Sequence, residues 1–267
     1  FVCMKREEAI AALHNGLATT PGALVVVEDF LCGVEASFIV ATDGRRAVPL
    51  ATSHDYKRIG EGDTGPNTGG MGSVCPTPRL SAEMEKRVMK EVIEPVLAEM
   101  RKRSAAFRGF LYAGLMIDKG GRIWVLEFNA RLGDPETQSI LRRLESDLLP
   151  LLLELSSKSA GGSSVSSLKW SNQSAVTVVM SAYGYPEKPR TGDVITGLEA
   201  AQEIEGVEVF HAGTSLSCAS ELVTNGGRVL SVTALGESIQ EARDRAQKGC
   251  ALIHFDGAHL RKDIGHE

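Results

Sequence analysis

The sequence lacks three features that would define a class of protein: paired cysteines, an excess of basic residues and long apolar runs. Its five cysteines are scattered and form no Cys-x-x-Cys pair, so neither a disulfide framework nor a zinc site is indicated. A net charge of -5 disfavours a nucleic-acid surface. Apolar runs such as 110–117 fall far short of the roughly 20 residues that cross a bilayer. We therefore expect a cytoplasmic protein of small-molecule metabolism, without nucleic-acid or membrane partners.

The apolar content is sufficient for one large or two modest packed domains, since 43% of the 267 residues are hydrophobic. The first residue is Phe1 rather than Met, and we expect that the polypeptide begins further upstream. Residues 156–167 are rich in Ser and Gly, a composition that cannot build a core and that indicates a linker or an exposed loop. This composition predicts a domain boundary there.

Hydrophobic periodicity and turn residues predict a series of helices and strands. Those of the first part are a helix over 6–18, a buried strand over 23–31, strands over 35–42 and 46–52 joined at Asp43-Gly44, a helix over 81–105 capped by Ser81, strands over 109–118 and 122–129 joined at Gly120-Gly121, and a leucine-rich helix over 135–155. Those of the second part are strands over 175–182, 207–213 and 228–235 and a helix over 238–254. The fold class is therefore α+β.

Three polar side chains lie at and just beyond the end of the strand over 122–129. Glu127 and Asn129 lie on the same face, while Leu126 and Phe128 are expected to point into a core. A carboxylate and an amide oxygen suit Mg²⁺ beside phosphates, and Arg131 suits a phosphoryl group. An isolated Glu-x-Asn-x-Arg is more often the exposed face of an edge strand. The turn that follows this strand, where active sites tend to form, favours the functional interpretation.

A glycine-rich stretch over 54–72 contains few large apolar side chains and is not expected to belong to a core. Glycines let the backbone approach an anion closely, and Lys57 and Arg58 add positive charge. A flexible surface loop is the alternative interpretation. The stretch matches neither a P-loop nor a dinucleotide-binding motif.

Two further features are weaker. Glu28 to Leu31 ends a predicted strand and Glu35 follows, an arrangement in which backbone groups can bind an adenine edge and an acid can bind ribose hydroxyls. Any buried strand can end in this way, so the pattern alone favours no function. His54 could contact a substrate of the glycine-rich stretch, whereas His211 and His254 are expected to be packing residues.

Taken together and in this order, these features resemble the ATP-grasp superfamily and, within it, the phosphoribosylamine-glycine ligase family. The resemblance rests on four blocks of sequence: VVVEDFLCGVEASF, PLATSHDYKRIGEGDTGPNTGGMG, GFLYAGLMIDKGGRIWVLEFNARLGDPETQ, and FHAGT with GGRVLSVTALG and RKDIG. It implies an ATP-grasp core with an antiparallel sheet and flanking helices, plus a small C-terminal α+β domain. The implied parts are a lid remnant over 1–22, the core over 23–155, a linker or loop over 156–173 and the C-terminal domain over 174–267.

The resemblance also implies a reaction and roles for residues. ATP would phosphorylate glycine, and 5-phosphoribosylamine would attack the glycyl phosphate to give glycinamide ribonucleotide in purine biosynthesis. Glu127 and Asn129 would hold Mg²⁺ or Mn²⁺, and Arg131 would stabilise the γ-phosphoryl group. Glu28, Leu31 and Glu35 would surround adenine and ribose. The remaining catalytic or substrate-binding residues would be Lys57, Asp63, Gly65, Pro66, Asn67, Thr68, Gly69, Gly70 and Asp134.

Two departures from the family pattern bear on activity. The family's amino-terminal domain and most of its lid subdomain do not lie in this sequence, so we expect this stretch alone to bind nucleotide weakly and to be inactive. Many ATP-grasp enzymes carry a further acidic ligand on the preceding strand, where this sequence has Gly114 and Leu115, so the number of metals is open. Fusion to other purine enzymes is compatible with the sequence. Two alternatives are another ATP-grasp carboxylate-amine ligase and a noncatalytic module of a larger polypeptide.

Overall fold

A computed structural model describes residues 2–19, 22, 24–156 and 168–266 of the chain. Its helices are α1 (Arg6–Thr19), α2 (Ala82–Val88), a π-helix (Met89–Ile93), α3 (Glu94–Lys102), α4 (Glu136–Arg142), α5 (Leu148–Ser156), α6 (Leu198–Gln202) and α7 (Ile239–Leu252). Its first eight strands are β1 (Val34–Thr42), β2 (Ala47–Pro49), β3 (His54–Asp55), β4 (Arg58–Gly60), β5 (Thr64–Asn67), β6 (Gly72–Cys75), β7 (Gly109–Ile117) and β8 (Ile123–Asn129). The others are β9 (Ser174–Ser181), β10 (Val207–His211), β11 (Thr214–Leu216), β12 (Leu222–Thr224) and β13 (Arg228–Gly236).

One antiparallel sheet of four strands has the order β2-β1-β7-β8. The predicted turns at Asp43-Gly44 and Gly120-Gly121 join β1 to β2 and β7 to β8, as expected from their composition. Val88, Ile93 and Leu97 are buried against this sheet, and Ser81 caps α2 by accepting a hydrogen bond from the Met84 N–H. The sheet therefore has one face under helices, while β8 lies at its edge.

A second antiparallel sheet of five strands has the order β10-β13-β9-β6-β3. Its three strands from the second half of the chain continue into β6 and β3 of the first half, because β9 pairs with β6 from Gly72 to Cys75. Helix α7 covers this sheet, with Ala242 and Ala246 fully buried. The mixed content of antiparallel sheets and flanking helices confirms the α+β prediction.

The buried strand predicted over 23–31 is wrong. Residues 24–31 form no strand in the structure, and Leu24, Val26 and Val27 are 99%, 79% and 82% exposed. An apolar run becomes a buried strand only when another strand pairs with it, and none of the described residues does so. The local composition therefore showed that these residues favour a strand, but it could not show whether another strand pairs with them.

The single helix predicted over 135–155 is also wrong, because the structure has α4 and α5 with a break between them. Arg143 ends α4 and is buried, and its guanidinium donates hydrogen bonds to the carbonyls of Ser171 and Gln173. Leu144 then forms a bridge with Trp170. The Arg143 carbonyl also accepts from the Ser171 N–H, and the Glu145 N–H donates to the Lys169 carbonyl, so backbone groups that would have continued the helix pair with residues 169–171 instead.

The inward orientation predicted for Leu126 and Phe128 is wrong too. Leu115 pairs with Val125 and Gly114 with Glu127, so Leu126 is the extra residue of a β-bulge. Phe128 is 40% exposed because β8 is an edge strand. Within the described residues, no helix combines the length and the apolar character needed to cross a membrane.

Candidate active site

Glu127, Asn129 and Arg131 converge on one cavity of about 160 Å³ at the end of β8. Glu127 and Asn129 lie two positions apart on the same face of the strand, and Arg131 follows the strand end. The adjacent strand contributes Tyr112, which is opposite Asn129 in the β7–β8 pairing. The structure therefore brings together the three residues that the sequence grouped.

Two further carboxylates line this cavity, and sequence reasoning missed both. Glu136 opens α4 and is only 2% exposed, and its carboxylate accepts a hydrogen bond of 2.7 Å from the Ser37 hydroxyl. Asp55 ends β3 and lies in the same lining. The glycine at 133 makes room for this arrangement, since a Cβ there would lie 2.6 Å from a carboxylate oxygen of Glu136. Asp55 and Glu136 lie in segments far apart in the sequence, and neither segment has a local pattern that indicates a site.

Lys57 supplies positive charge to the cavity. Its ammonium forms an ion pair of 2.6 Å with Glu35. Glu35 therefore contacts a residue that lines the cavity, but it is not itself part of the lining. Glu28 and Leu31, by contrast, belong to the segment without a strand partner and line neither of the cavities described here. The roles predicted for these three residues at adenine and ribose stay predictions.

The charges in this cavity shift one another's pKa values. Burial raises the pKa of Asp55 to about 7, and the nearby carboxylates of Glu136 and Glu35 act in the same direction against the attraction of Lys57. For Lys57, burial lowers the pKa, but the carboxylates of Asp55 and Glu35 outweigh it and raise the pKa above its usual value. Burial, with Glu136, also raises the pKa of Tyr112. The phenol of Tyr112 therefore stays protonated and can donate.

The glycine-rich stretch folds as a hairpin of β4 and β5 followed by a turn into β6. Gly65, Pro66 and Asn67 are exposed on β5, whereas Thr68 and Gly69 reach the cavity of Glu127. The Thr68 hydroxyl donates to the Lys57 carbonyl and accepts from the Gly70 N–H, which fixes the turn. The expectation that this stretch contributes nothing to a core is wrong at its two ends, because Tyr56 and Met71 are buried.

Asp63 lies at the tip of this hairpin and does not line either cavity. Its carboxylate accepts a hydrogen bond of 2.9 Å from Arg261, whose side chain is 1% exposed and which also donates to the Arg58 carbonyl. Asp263 binds the same arginine and accepts from the Gly62 N–H. The RKDIG block near residue 261 thus fixes the hairpin from outside.

Arg228, on β13, makes a second connection to the glycine-rich stretch. Its guanidinium donates to the Gly69 carbonyl at 2.7 Å and binds the Asp134 carboxylate at 2.7 Å. A Cβ at Gly69 would lie 3.1 Å from the centre of this guanidinium. Arg228 therefore links the second half of the chain to the glycine-rich stretch and to Asp134.

A larger cavity of about 700 Å³ adjoins the first, and both are lined by Gly69, Arg131, Gly133 and Asp134. Its other walls come from the segment after β8, from α4 and from the five-stranded sheet: Leu132, Thr137, Gln138, Leu141, Phe210, His211 and Arg228. His211 therefore lines a cavity and is not the packing residue expected. His54 is fully buried and its Nδ1 lies 2.8 Å from the Thr77 hydroxyl, away from both cavities.

The oxygen donors at the end of β8 fit a divalent metal ion. Glu127 and Asn129 offer one carboxylate and one amide oxygen beside an open cavity, which suits an ion that completes its shell with phosphates and water. Among the described residues, no group of three Asp, Glu, His or Cys side chains is placed to enclose an ion. The residues therefore fit a metal that arrives with a nucleotide and not an all-protein cage.

Two domains of one synthetase match this chain, and they define its class. The sequence profile of the phosphoribosylglycinamide synthetase ATP-grasp (A) domain matches residues 1–137, and that of the C domain of the same synthetase matches residues 175–267. The crystal structure of an L-amino acid ligase from Bacillus licheniformis has the same fold, with a TM-score of 0.61 at 18% identity over 94% of this chain and 60% of that chain. The chain is an ATP-grasp protein.

More similar proteins define the family. The chain is 48% identical to a phosphoribosylamine–glycine ligase of Escherichia coli K12, over 99% of this chain and 62% of that protein. A phosphoribosylamine–glycine ligase structure from Thermotoga maritima matches with a TM-score of 0.78 and 38% identity, over 89% of this chain and 57% of the other. The chain belongs to the phosphoribosylglycinamide synthetase family. It spans about three fifths of the length of the curated relatives.

The pKa of Asp55 predicts a pH-dependent stability. Between pH 3.8, the ordinary pKa of an aspartate, and about pH 7, the unfolded chain loses this proton while the folded chain keeps it, so folding stability falls through this range. Asp55→Asn should therefore raise the urea midpoint at pH 8, with a smaller effect at pH 4.5. Asp29→Asn, at an exposed position, is the control and should change neither midpoint. An equal effect of Asp55→Asn at both pH values would contradict this cause.

Proposed function

We propose that this chain forms the catalytic part of an ATP-dependent ligase that joins 5-phosphoribosylamine and glycine to give glycinamide ribonucleotide. The γ-phosphoryl group of ATP passes to a carboxylate oxygen of glycine and ADP leaves. The amine nitrogen then attacks the acyl carbon of glycyl phosphate, phosphate leaves, and the nitrogen loses a proton. This reaction belongs to purine biosynthesis, and we propose a cytoplasmic setting for it.

The observation that carries this proposal is the convergence of Glu127, Asn129 and Arg131 with Lys57 in one cavity. Phosphoryl transfer needs groups that position the reactants and balance charge, and little covalent participation from the protein. An oxygen donor pair beside two cations meets that need. Membership of the synthetase family supports the particular substrates.

In this proposal four residues of the small cavity act on the reacting groups. Glu127 and Asn129 would hold Mg²⁺, or Mn²⁺, and the bound ion would neutralise charge on the phosphates. Arg131 forms charge-assisted hydrogen bonds with the transferred phosphoryl group. Lys57, held by Glu35, orients the glycine carboxylate or its acyl phosphate.

The glycine-rich stretch contributes backbone and positioning. Thr68 and Gly69 present main-chain groups to the cavity, and Asp134 borders both cavities. Gly65, Pro66, Asn67 and Gly70 shape the hairpin and its turn, which is their proposed part in substrate binding. Asp63 acts through the position of the hairpin, since its carboxylate is bound to Arg261. Glu28 and Leu31 are proposed to contact the nucleotide.

The test is glycine-dependent ADP release by the natural polypeptide that contains this sequence. ADP should appear only when ATP, Mg²⁺, glycine and phosphoribosylamine are all present, and glycinamide ribonucleotide should be identified by mass spectrometry. A matched assay replaces glycine with other amino acids.

Two outcomes would replace the proposal. ADP release with another amino acid, and none with glycine, would assign the site to a different carboxylate-amine ligase of the ATP-grasp class. No turnover of ATP with any amino acid would indicate a noncatalytic module within a larger polypeptide.

A further inference from the structure

The turn at the end of the glycine-rich stretch is held by its own backbone N–H groups. The four consecutive N–H groups of residues 68–71 all donate within the protein, over 2.7–3.0 Å. Their acceptors, in that order, are the Lys57 carbonyl, the Tyr185 hydroxyl, the Thr68 hydroxyl and the Tyr56 carbonyl. Tyr185 is the one acceptor of the four that comes from the second half of the chain.

Gly69 is therefore bound from the second half of the chain on both of its polar sides. Its N–H donates to the Tyr185 hydroxyl at 2.9 Å, and its carbonyl accepts from Arg228 at 2.7 Å. The other three acceptors lie in the glycine-rich stretch itself, so they shape the turn locally. The hydroxyl of Tyr185 is the group that fixes the N–H side of the turn relative to the rest of the molecule.

The ring of Tyr185 has a defined place beside the start of β13. The Tyr185 N–H donates to the Ala182 carbonyl at 3.2 Å, and the Ala182 N–H donates to the Gly227 carbonyl at 2.8 Å. A Cβ at Gly227 would overlap a ring carbon of Tyr185, so only glycine lets the ring lie there. These contacts hold the phenol in position to accept from Gly69.

Gly69 is joined to Lys57 through Thr68. Both the N–H and the hydroxyl of Thr68 donate to the Lys57 carbonyl, at 2.7 and 2.8 Å. Lys57, Thr68 and Gly69 all line the small cavity. A displacement of Gly69 therefore reaches the backbone of Lys57 through its neighbour Thr68.

We propose that Tyr185 is a positioning residue of the small cavity: its hydroxyl holds Gly69 and, through Thr68, fixes the place of Lys57. Tyr185 lines neither cavity, so it acts through these residues. This proposal rests on the proposed function, in which Lys57 orients the glycine carboxylate. Without the hydroxyl, water can replace the lost acceptor but does not fix the turn. The turn must then become ordered when glycine binds, and this ordering weakens binding.

The first experiment measures KM and kcat for glycine in the natural polypeptide that contains this sequence. Tyr185→Phe keeps the ring and removes the hydroxyl. It should raise KM for glycine about fivefold, as expected for the loss of one hydrogen bond, with kcat changed less than about twofold. A merely structural role would instead lower the urea midpoint and leave KM unchanged, which would overturn the proposal.

Tyr183→Phe is the matched control. Tyr183 is 62% exposed, its ring lies under the Arg190 guanidinium, and it lines neither cavity. Its KM for glycine should equal that of the parent. Tyr185→Leu removes the ring as well as the hydroxyl and should raise KM at least as much as Tyr185→Phe. A raised KM in Tyr185→Leu with a parental KM in Tyr185→Phe would assign the effect to the ring and overturn the role of the hydroxyl.

The second experiment measures amide hydrogen exchange and does not depend on turnover. The Gly69 N–H should exchange about fivefold faster in Tyr185→Phe than in the parent, and at the parental rate in Tyr183→Phe. Equal exchange in the parent and Tyr185→Phe would show that the hydroxyl does not hold Gly69 and would overturn the proposal. If the parent releases no ADP with glycine, the proposed reaction fails, whereas faster exchange in Tyr185→Phe still supports the positioning of the turn.

Discussion

Glu127→Gln is expected to lower kcat by at least about 100-fold, because the change removes the negative charge from the only carboxylate among the two proposed metal ligands while keeping the size of the side chain. Glu127 lies in the cavity beside Asn129 and Lys57. The amide that replaces it is a weak ligand for a hard cation. The measurement is steady-state ADP release as a function of Mg²⁺ concentration in the natural polypeptide that contains this sequence.

The Mg²⁺ dependence separates a metal role from a structural one. In Glu127→Gln the Mg²⁺ concentration for half-maximal rate should rise, whereas the unfolding temperature should stay near that of the parent. Glu187→Gln is the control, because Glu187 is exposed in a turn and lines neither cavity, and its rate should match the parent. A Glu127→Gln enzyme with the parental rate and Mg²⁺ dependence would remove this residue from the metal site.

Gly70→Ala is expected to destabilise the folded protein by about 3 kcal/mol or more, through strain in the backbone and a steric clash. Gly70 has a φ of +110°, a backbone conformation that residues other than glycine rarely adopt. A Cβ there would lie 2.5 Å from Cδ of Pro135. The turn that contains Gly70 also carries Gly69, so relief of the clash would displace the lining of both cavities. Urea unfolding and ADP release should therefore both be affected.

Gly62→Ala isolates the backbone contribution. Gly62 also has a positive φ, +64°, but a Cβ there meets nothing within 4 Å. The only expected loss of stability in Gly62→Ala is therefore the cost of a left-handed backbone conformation in alanine, about 1 kcal/mol. Equal urea midpoints for Gly70→Ala and Gly62→Ala would show that the clash with Pro135 is absent or relieved at no cost.

The parts of the fold that were predictable from sequence are those encoded over short distances. The β7–β8 hairpin follows from two alternating apolar runs around Gly120-Gly121, and the start of α2 from the capping hydroxyl of Ser81. Because alternate residues of a strand share a face, the same reasoning placed Glu127 with Asn129. The central pair of the candidate site is therefore a local property of β8.

The residues that sequence reasoning missed depend on contacts between distant segments. Asp55, Glu136 and Arg228 reach the site only because β3, α4 and β13 pack around the same two cavities. The hydrophobic periodicity of a single segment does not predict how it packs against distant segments. The error over 24–31 has the same origin, since burial of a strand depends on a neighbour that the local pattern does not contain.

The two connections from the second half of the chain bear on how sequence variants of this protein are interpreted. Arg228 binds Gly69 and Asp134, and Arg261 binds Asp63 and the Arg58 carbonyl. A substitution at either arginine lies roughly 160 to 200 positions from the glycine-rich stretch, yet it would alter the shape of that stretch. A variant at Arg228 or Arg261 that looks remote by position would then be expected to impair the proposed reaction. Such variants are better interpreted together with those of the candidate active site.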